Sequence, residues 1–84
     1  MLDLVLSRDT ARAVGKLSPT ARRRVVTALE RLKSDPLRGK RLHVELEGLF
    51  SLRIGGMRAV YEADFVRNTV VIHAFGPRGD IYKN

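Results

Sequence analysis

Arg53 and Arg58 stand on either side of a Gly55-Gly56 pair, inside the stretch FSLRIGGMRAVYEAD at residues 50–64. Apolar runs flanking two glycines signal a β-hairpin, because glycine reaches positive φ freely. A hairpin held by packing alone has no need of guanidinium groups beside its turn. A guanidinium stays charged at any physiological pH, and its planar fork of N–H donors matches two oxygens of one phosphate. What such a pair does in so small a sheet is the question the sequence raises. Other chemistries are poorly supplied. The chain has no cysteine, hence no disulfide framework and no thiolate metal site. His43 and His73 are isolated, a poor basis for zinc. No metal or cofactor is expected.

Charge placement supports the same direction. The net charge is +7. Residues 1–42 carry 11 basic and 4 acidic side chains, and residues 43–84 carry 5 of each. A basic half beside a neutral half suggests a polyanionic partner, usually nucleic acid; the plainer reading is a solvated helix face. With 84 residues, a single domain over 1–84 is expected, burying only ~60% of the surface its unfolded chain exposes. Function then belongs on a surface or in a shallow groove. The start, MLDLVLSRD, has no basic leader before its apolar run, so no signal peptide is expected. No run approaches the ~20 apolar residues of a membrane span. A cytosolic protein is the simplest expectation.

The elements that must position these arginines can be read in order. LDLVL (2–6) predicts a strand. Ser7 or Asp9 can cap a short helix with Ala11, Val14 and Leu17 as its apolar stripe. Ser18 and Pro19 suit the N-cap and first position of a longer helix. Its stripe is Ala21, Val25, Ala28, Leu29 and Leu32. Arg22, Arg23, Arg24, Arg31 and Lys33 lie off that stripe, and the arginines near the N-terminus oppose the helix dipole, so they add little to helix stability. Asp35-Pro36 stops the helix. A basic loop with Arg38, Lys40 and Arg41 leads to an antiparallel meander. Strand 49–54 sets Phe50, Leu52 and Ile54 against Ser51 and Arg53. Strand 57–64 sets Met57, Ala59, Tyr61 and Ala63 against Arg58, Val60, Glu62 and Asp64. Arg67-Asn68 makes the next turn. Strand 69–75 sets Val70, Ile72 and Ala74 against Val71, His73 and Phe75, and residues 76–84 close with a turn and a stub of strand. The expected fold is α+β: an N-terminal strand, a helical hairpin, then a meander of three to four strands, with both helices on one sheet face. The other face stays open, and Arg53 points to it by parity.

This pattern resembles the RelE/ParE superfamily of toxins from toxin–antitoxin pairs. The resemblance runs over nearly the whole chain: LKSDPLRGKRL at the helix end, the hairpin LEGLFSLRIGGMRAVYEAD, and the ending GPRGDIYK. The family pattern of glycine, aromatic-x-x-Arg, a turn, Arg-x-x-Tyr, and a closing arginine and tyrosine falls on Gly48, Phe50, Arg53, Arg58, Tyr61, Arg78 and Tyr82. The RelE branch cuts messenger RNA in the ribosomal decoding site, whereas the ParE branch poisons DNA gyrase without nuclease activity. A shared fold does not choose between them. The late basic and tyrosine positions favour the RelE branch, and a degenerate toxin that only binds its antitoxin is a further alternative.

The RelE branch's RNA cleavage uses the RNA's own 2′-hydroxyl, which must lose a proton. The phosphorane must be stabilised, and the leaving 5′-oxygen must be protonated. By the resemblance, Arg53, Arg58 and Arg78 bind and polarise the phosphate, often the largest catalytic contribution, and Tyr82 stacks on a base or assists proton transfer. Ser51 and Arg53 stand where well-known members carry two lysines. Arginine does not act as a base, so Glu62 and His73 are the substitutes on chemical grounds. Arg22, Arg23, Arg24, Arg38, Lys40, Arg41 and Ser51 are the expected contacts to RNA and the ribosome, and Arg22, Arg23 and Arg24 equally suit an acidic antitoxin. The implied partner is a small RelB-like antitoxin in a hetero-oligomeric complex, its segment ordering on binding. The competing structural reading makes Arg53 and Arg58 solvated cross-strand partners of Glu62 and Asp64.

Overall fold

The computed structural model describes residues 1–42 and 48–77. The elements run β1 (Asp3–Leu6), α1 (Arg8–Gly15), α2 (Pro19–Arg31), β2 (Lys40–Arg41), β3 (Leu49–Ile54), β4 (Met57–Asp64) and β5 (Thr69–Pro77). Both helices start as the sequence dictates. The Ser7 side chain accepts from the Thr10 amide at 3.2 Å, and the Ser18 side chain accepts from the Ala21 amide at 3.3 Å with Pro19 in the first turn. Each satisfies an amide that the helix leaves without an internal acceptor.

Along α2 the expected stripe is the buried one: Val25, Leu29 and Leu32 are buried, with Ala21 and Ala28 partly so. In α1 the stripe shifts by one residue. Ala11 is exposed and Thr10 is buried beside Val14. Thr10 takes that inward place because its hydroxyl is provided for. It accepts from the Ser7 hydroxyl at 2.8 Å and donates to the Ile72 carbonyl at 3.4 Å, so burial leaves no polar atom stranded.

The sheet has five strands in the order β1-β5-β4-β3-β2. The meander β3-β4-β5 is antiparallel, β2 extends it at one edge, and β1 joins β5 in parallel at the other. One core lies between the helices and one sheet face. Val14, Val25, Leu29 and Leu32 pack with Leu52, Ile54, Ala59, Tyr61, Val70 and Ile72.

The expected alternation fails at one place, in β5. Tyr61 pairs with Ile72, whereas Val60 pairs with Ala74, so His73 and Ala74 together oppose Val60. This β-bulge inserts one residue and reverses the parity beyond it. Phe75, expected opposite the core, packs against it, while Ala74 leaves the face of Val70 and Ile72 and pairs with Val60.

Three local devices fix the strands. Gly55 has φ +61° at the first turn position of the β3–β4 hairpin, a conformation costly to residues with a Cβ. Asp64 Oδ1 accepts from the amides of Val66 and Arg67, both at 3.1 Å, which forms the β4–β5 turn. Gly39 donates its amide to the Tyr61 hydroxyl at 2.8 Å, and a Cβ there would lie 2.8 Å from both that hydroxyl and the Ser51 carbonyl oxygen. Only glycine lets β2 approach so closely. Burial pushes the Tyr61 phenol above its ordinary pKa, and the Gly39 amide partly offsets this.

Candidate functional site

The hairpin turn is two residues long, so its register is fixed: Ile54 pairs with Met57 and Arg53 pairs with Arg58. The two arginines are direct cross-strand neighbours, with Cβ atoms about 4.5–5.5 Å apart. Arg53 is exposed and Arg58 half-buried. Arg53 has no hydrogen-bond or ion-pair partner among the described residues. Like charges directly opposite one another weaken a sheet. An oxyanion held by the two guanidinium groups would reverse the sign of their mutual interaction.

The alternative partners are engaged elsewhere. The Glu62 carboxylate contacts His73 Nε2 at 2.8 Å, and Asp64 holds its turn and lies 3.9 Å from Arg67 Nε. The reading of Arg53 as a cross-strand partner of Glu62 is thereby overturned. The same contact bears on the substitute bases. Glu62 and His73 are bonded to each other, and Glu62 lies four residues along β4 from Arg58, about 13 Å at strand rise.

The open face is cationic near the hairpin. Lys40 pairs with Ser51 and Ser51 with Val60, which places Lys40 in the row beside Arg53. This face is not open throughout, since Ser51 is 7% exposed and Val60 4%. Both are short side chains in an inner row between the longer Lys40, Arg53 and Arg58. Arg38 and Arg41 are exposed, Arg41 opposite Phe50 on β3. Arg78 and Tyr82 lie outside the described residues.

The three consecutive arginines of α2 do different things. Arg22 Nη2 donates to the carbonyls of Gly15 and Leu17 at 2.8 and 3.0 Å. It therefore closes the end of α1 and is spent on the fold. Arg23 and Arg24 instead line a groove of about 370 Å³ with Thr20, Thr27, Ala28 and Arg31. Helical geometry separates the two roles: at 3.6 residues per turn, Arg22 and Arg24 project roughly 160° apart. That angle is legible in the sequence, and the run of three arginines conceals it. Thr20 and Thr27 carry no signal in the sequence, and Arg31 is legible there only as a residue off the apolar stripe.

Among the described residues, no group of acidic and histidine side chains is arranged to hold a metal ion, and no helix is long and apolar enough to cross a membrane.

Comparison with known proteins agrees with this architecture. No protein-family model matches the chain. It is 43% identical over 74 residues to the toxin RelG of Mycobacterium tuberculosis, covering 86% of this chain and 85% of that protein. Its fold is similar to the toxin–antitoxin complex RelBE2 of Mycobacterium tuberculosis, with a TM-score of 0.81, 35% identity, and coverage of 92% of this chain and 98% of the other. The isolated RelE toxin of E. coli shares the fold at a TM-score of 0.79 and 16% identity, covering 92% of this chain and 84% of that one. A strand, two helices and a mostly antiparallel sheet, joined to sequence identity of this extent, place the chain in the RelE/ParE toxin superfamily, within its RelE-like branch.

Proposed function

We propose that this protein is the toxin of a type II toxin–antitoxin pair and acts as a ribosome-dependent endoribonuclease on messenger RNA. The observation that carries the reading is the direct opposition of Arg53 and Arg58 across the hairpin. In this reaction the RNA's 2′-oxygen attacks the adjacent phosphorus and the bond to the 5′-oxygen breaks. The products are a 2′,3′-cyclic phosphate and a 5′-hydroxyl. The 2′-hydroxyl proton passes to solvent water, and a proton from solvent water is delivered to the 5′-oxygen. Arg53 and Arg58 bind the non-bridging oxygens, and their charge stabilises the phosphorane more than the ground state. By family resemblance Arg78 and Tyr82 complete the site.

Neither arginine removes a proton at neutral pH. Glu62 lies four residues along β4 from Arg58, and His73 three residues along β5 from Gly76 opposite Arg58, about 13 and 10 Å at strand rise, and the two are bonded to each other. The chain therefore supplies charge and orientation above all, and the ribosome's ordering of the RNA supplies in-line geometry, which by itself is worth several orders of magnitude. Lys40, Arg41 and Arg38 beside the arginine pair suit contacts to ribosomal RNA. The partner that silences the toxin is a RelB-like antitoxin, and both proteins work in the cytoplasm. That partner follows from the relatives' complexes; the arginine pair says nothing of it.

Induced expression tests this reading. Protein synthesis should stop before DNA synthesis does, and co-expression of the cognate antitoxin should restore growth. DNA synthesis failing first, with a DNA-damage response and messenger RNA left whole, would refute it and favour a gyrase poison.

A further inference from the structure

The groove on α2 lies on the other side of the hairpin tip from the arginine pair, and the two are joined by the tip itself. Arg24 Nη1 lies 3.5 Å from where a Cβ on Gly55 would stand. Gly55 and Gly56 are exposed, and a Cβ on Gly56 would meet nothing within 4 Å. The tip therefore has no side chain to obstruct a strand passing over it. Beyond Arg24 the groove continues along one flank of α2 through Thr20, Arg23, Thr27 and Arg31. Thr20 and Arg31 are eleven residues apart, about 16 Å of helix. The guanidinium groups of Arg23, Arg24 and Arg31 have no hydrogen-bond or ion-pair partner among the described residues. The helix's one acid, Glu30, pairs with Lys33 at 3.1 Å and does not line the groove.

We propose that this flank of α2 is a second phosphate-binding track, continuous with the Arg53–Arg58 site round the Gly55-Gly56 tip, and that its occupant is the single-stranded RNA flanking the cut. The inference rests on the RNA reading above and extends it from one phosphate to a path. One feature favours RNA over an acidic protein segment: guanidinium groups interspersed with hydroxyl donors are the usual phosphate-backbone contacts.

The test is the salt dependence of binding to fluorescein-labelled oligouridylate of 6 and 20 nucleotides, followed by anisotropy. Each phosphate contact adds about 0.7 to the slope of log K against log salt for single strands. For the native protein the slope should be steeper with the longer RNA. In R23Q/R24Q/R31Q the 20-mer slope should fall by about 2, the sum of three such contacts. R23K/R24K/R31K should keep it. Glutamine has nearly the helix propensity of arginine, and unchanged circular dichroism would confirm that α2 is intact. An unchanged 20-mer slope in the glutamine variant would overturn the track, as would a groove that binds polyglutamate while ignoring RNA. Either result would leave the Arg53–Arg58 cleavage reading standing. Native protein that cuts no messenger RNA with ribosomes present, yet keeps an α2-dependent slope, would instead sink the nuclease reading and keep the track.

Discussion

Replacing Arg53 with glutamine should make the protein more stable while making it inactive. Arg53 faces Arg58 with no intervening residue. Two unit charges about 6 Å apart repel by about 0.7 kcal/mol in bulk water. Screening at 0.15 M salt roughly halves this, with a Debye length of about 8 Å. The partial burial of Arg58 lowers the local dielectric and raises the repulsion again. The net gain expected for Arg53→Gln is therefore about 0.5 kcal/mol, inside the range of about 0.2–1 kcal/mol for cross-strand pairs. For a domain of this size that corresponds to a rise in Tm of about 2–4 °C. The origin is electrostatic, so it should vanish in 1 M salt, where the Debye length is about 3 Å. Urea titrations at about 0.15 M and 1 M NaCl measure both values. A loss above 0.5 kcal/mol would refute the reasoning, because Arg53 would then be a structural contact. A gain equal at both salts would refute it too, because repulsion would not be its source.

Other expectations follow from the strand contacts. Gly39→Ala should cost about 1–3 kcal/mol by overpacking, because the new Cβ meets the Ser51 carbonyl and the buried Tyr61 hydroxyl; an unchanged urea midpoint would show that β2 can shift without penalty. Tyr61→Phe should cost about 1–3 kcal/mol, as it leaves the Gly39 amide without its acceptor. The same variant should flatten the alkaline limb of stability. The folded phenol titrates above its ordinary 10.0, so the native contribution is complete below that pH and is lost as pH rises through the folded value, where the unfolded chain releases its proton first. An identical alkaline slope in both proteins would contradict this. Asp64→Ala should cost about 1 kcal/mol by removing the acceptor for the Val66 and Arg67 amides, measurable as a lower thermal midpoint.

The element order and the core of α2 are legible because period and capping agree there: Ser18, Pro19, and a stripe through Val25, Leu29 and Leu32. The hairpin is equally plain, since Gly55-Gly56 fixes both turn and register, and the opposition of Arg53 and Arg58 follows. Other features escape a reading by period. Thr10 looks polar in sequence and is buried because the Ser7 hydroxyl and the Ile72 carbonyl satisfy it. The bulge at His73–Ala74 has no turn residue to announce it, so simple alternation predicts the wrong face for Phe75. Parallel pairing of β1 with β5 joins segments more than 60 residues apart, which no local pattern encodes. The arginine run at 22–24 reads as one patch until helical angle sends Arg22 to the end of α1 and Arg24 to the hairpin tip. Close approach at Gly39 depends on Tyr61, 22 residues away, and is visible only once the strands are paired.

The most direct measurement is primer extension on a defined messenger RNA in a reconstituted translation reaction. The purified protein is added with and without ribosomes, beside R53Q/R58Q. Cuts that require ribosomes, fall in frame with the decoding site and disappear in the double variant are the predicted result. Intact RNA with the native protein, or unchanged cutting by the double variant, would contradict the claim that the opposed arginines hold the scissile phosphate.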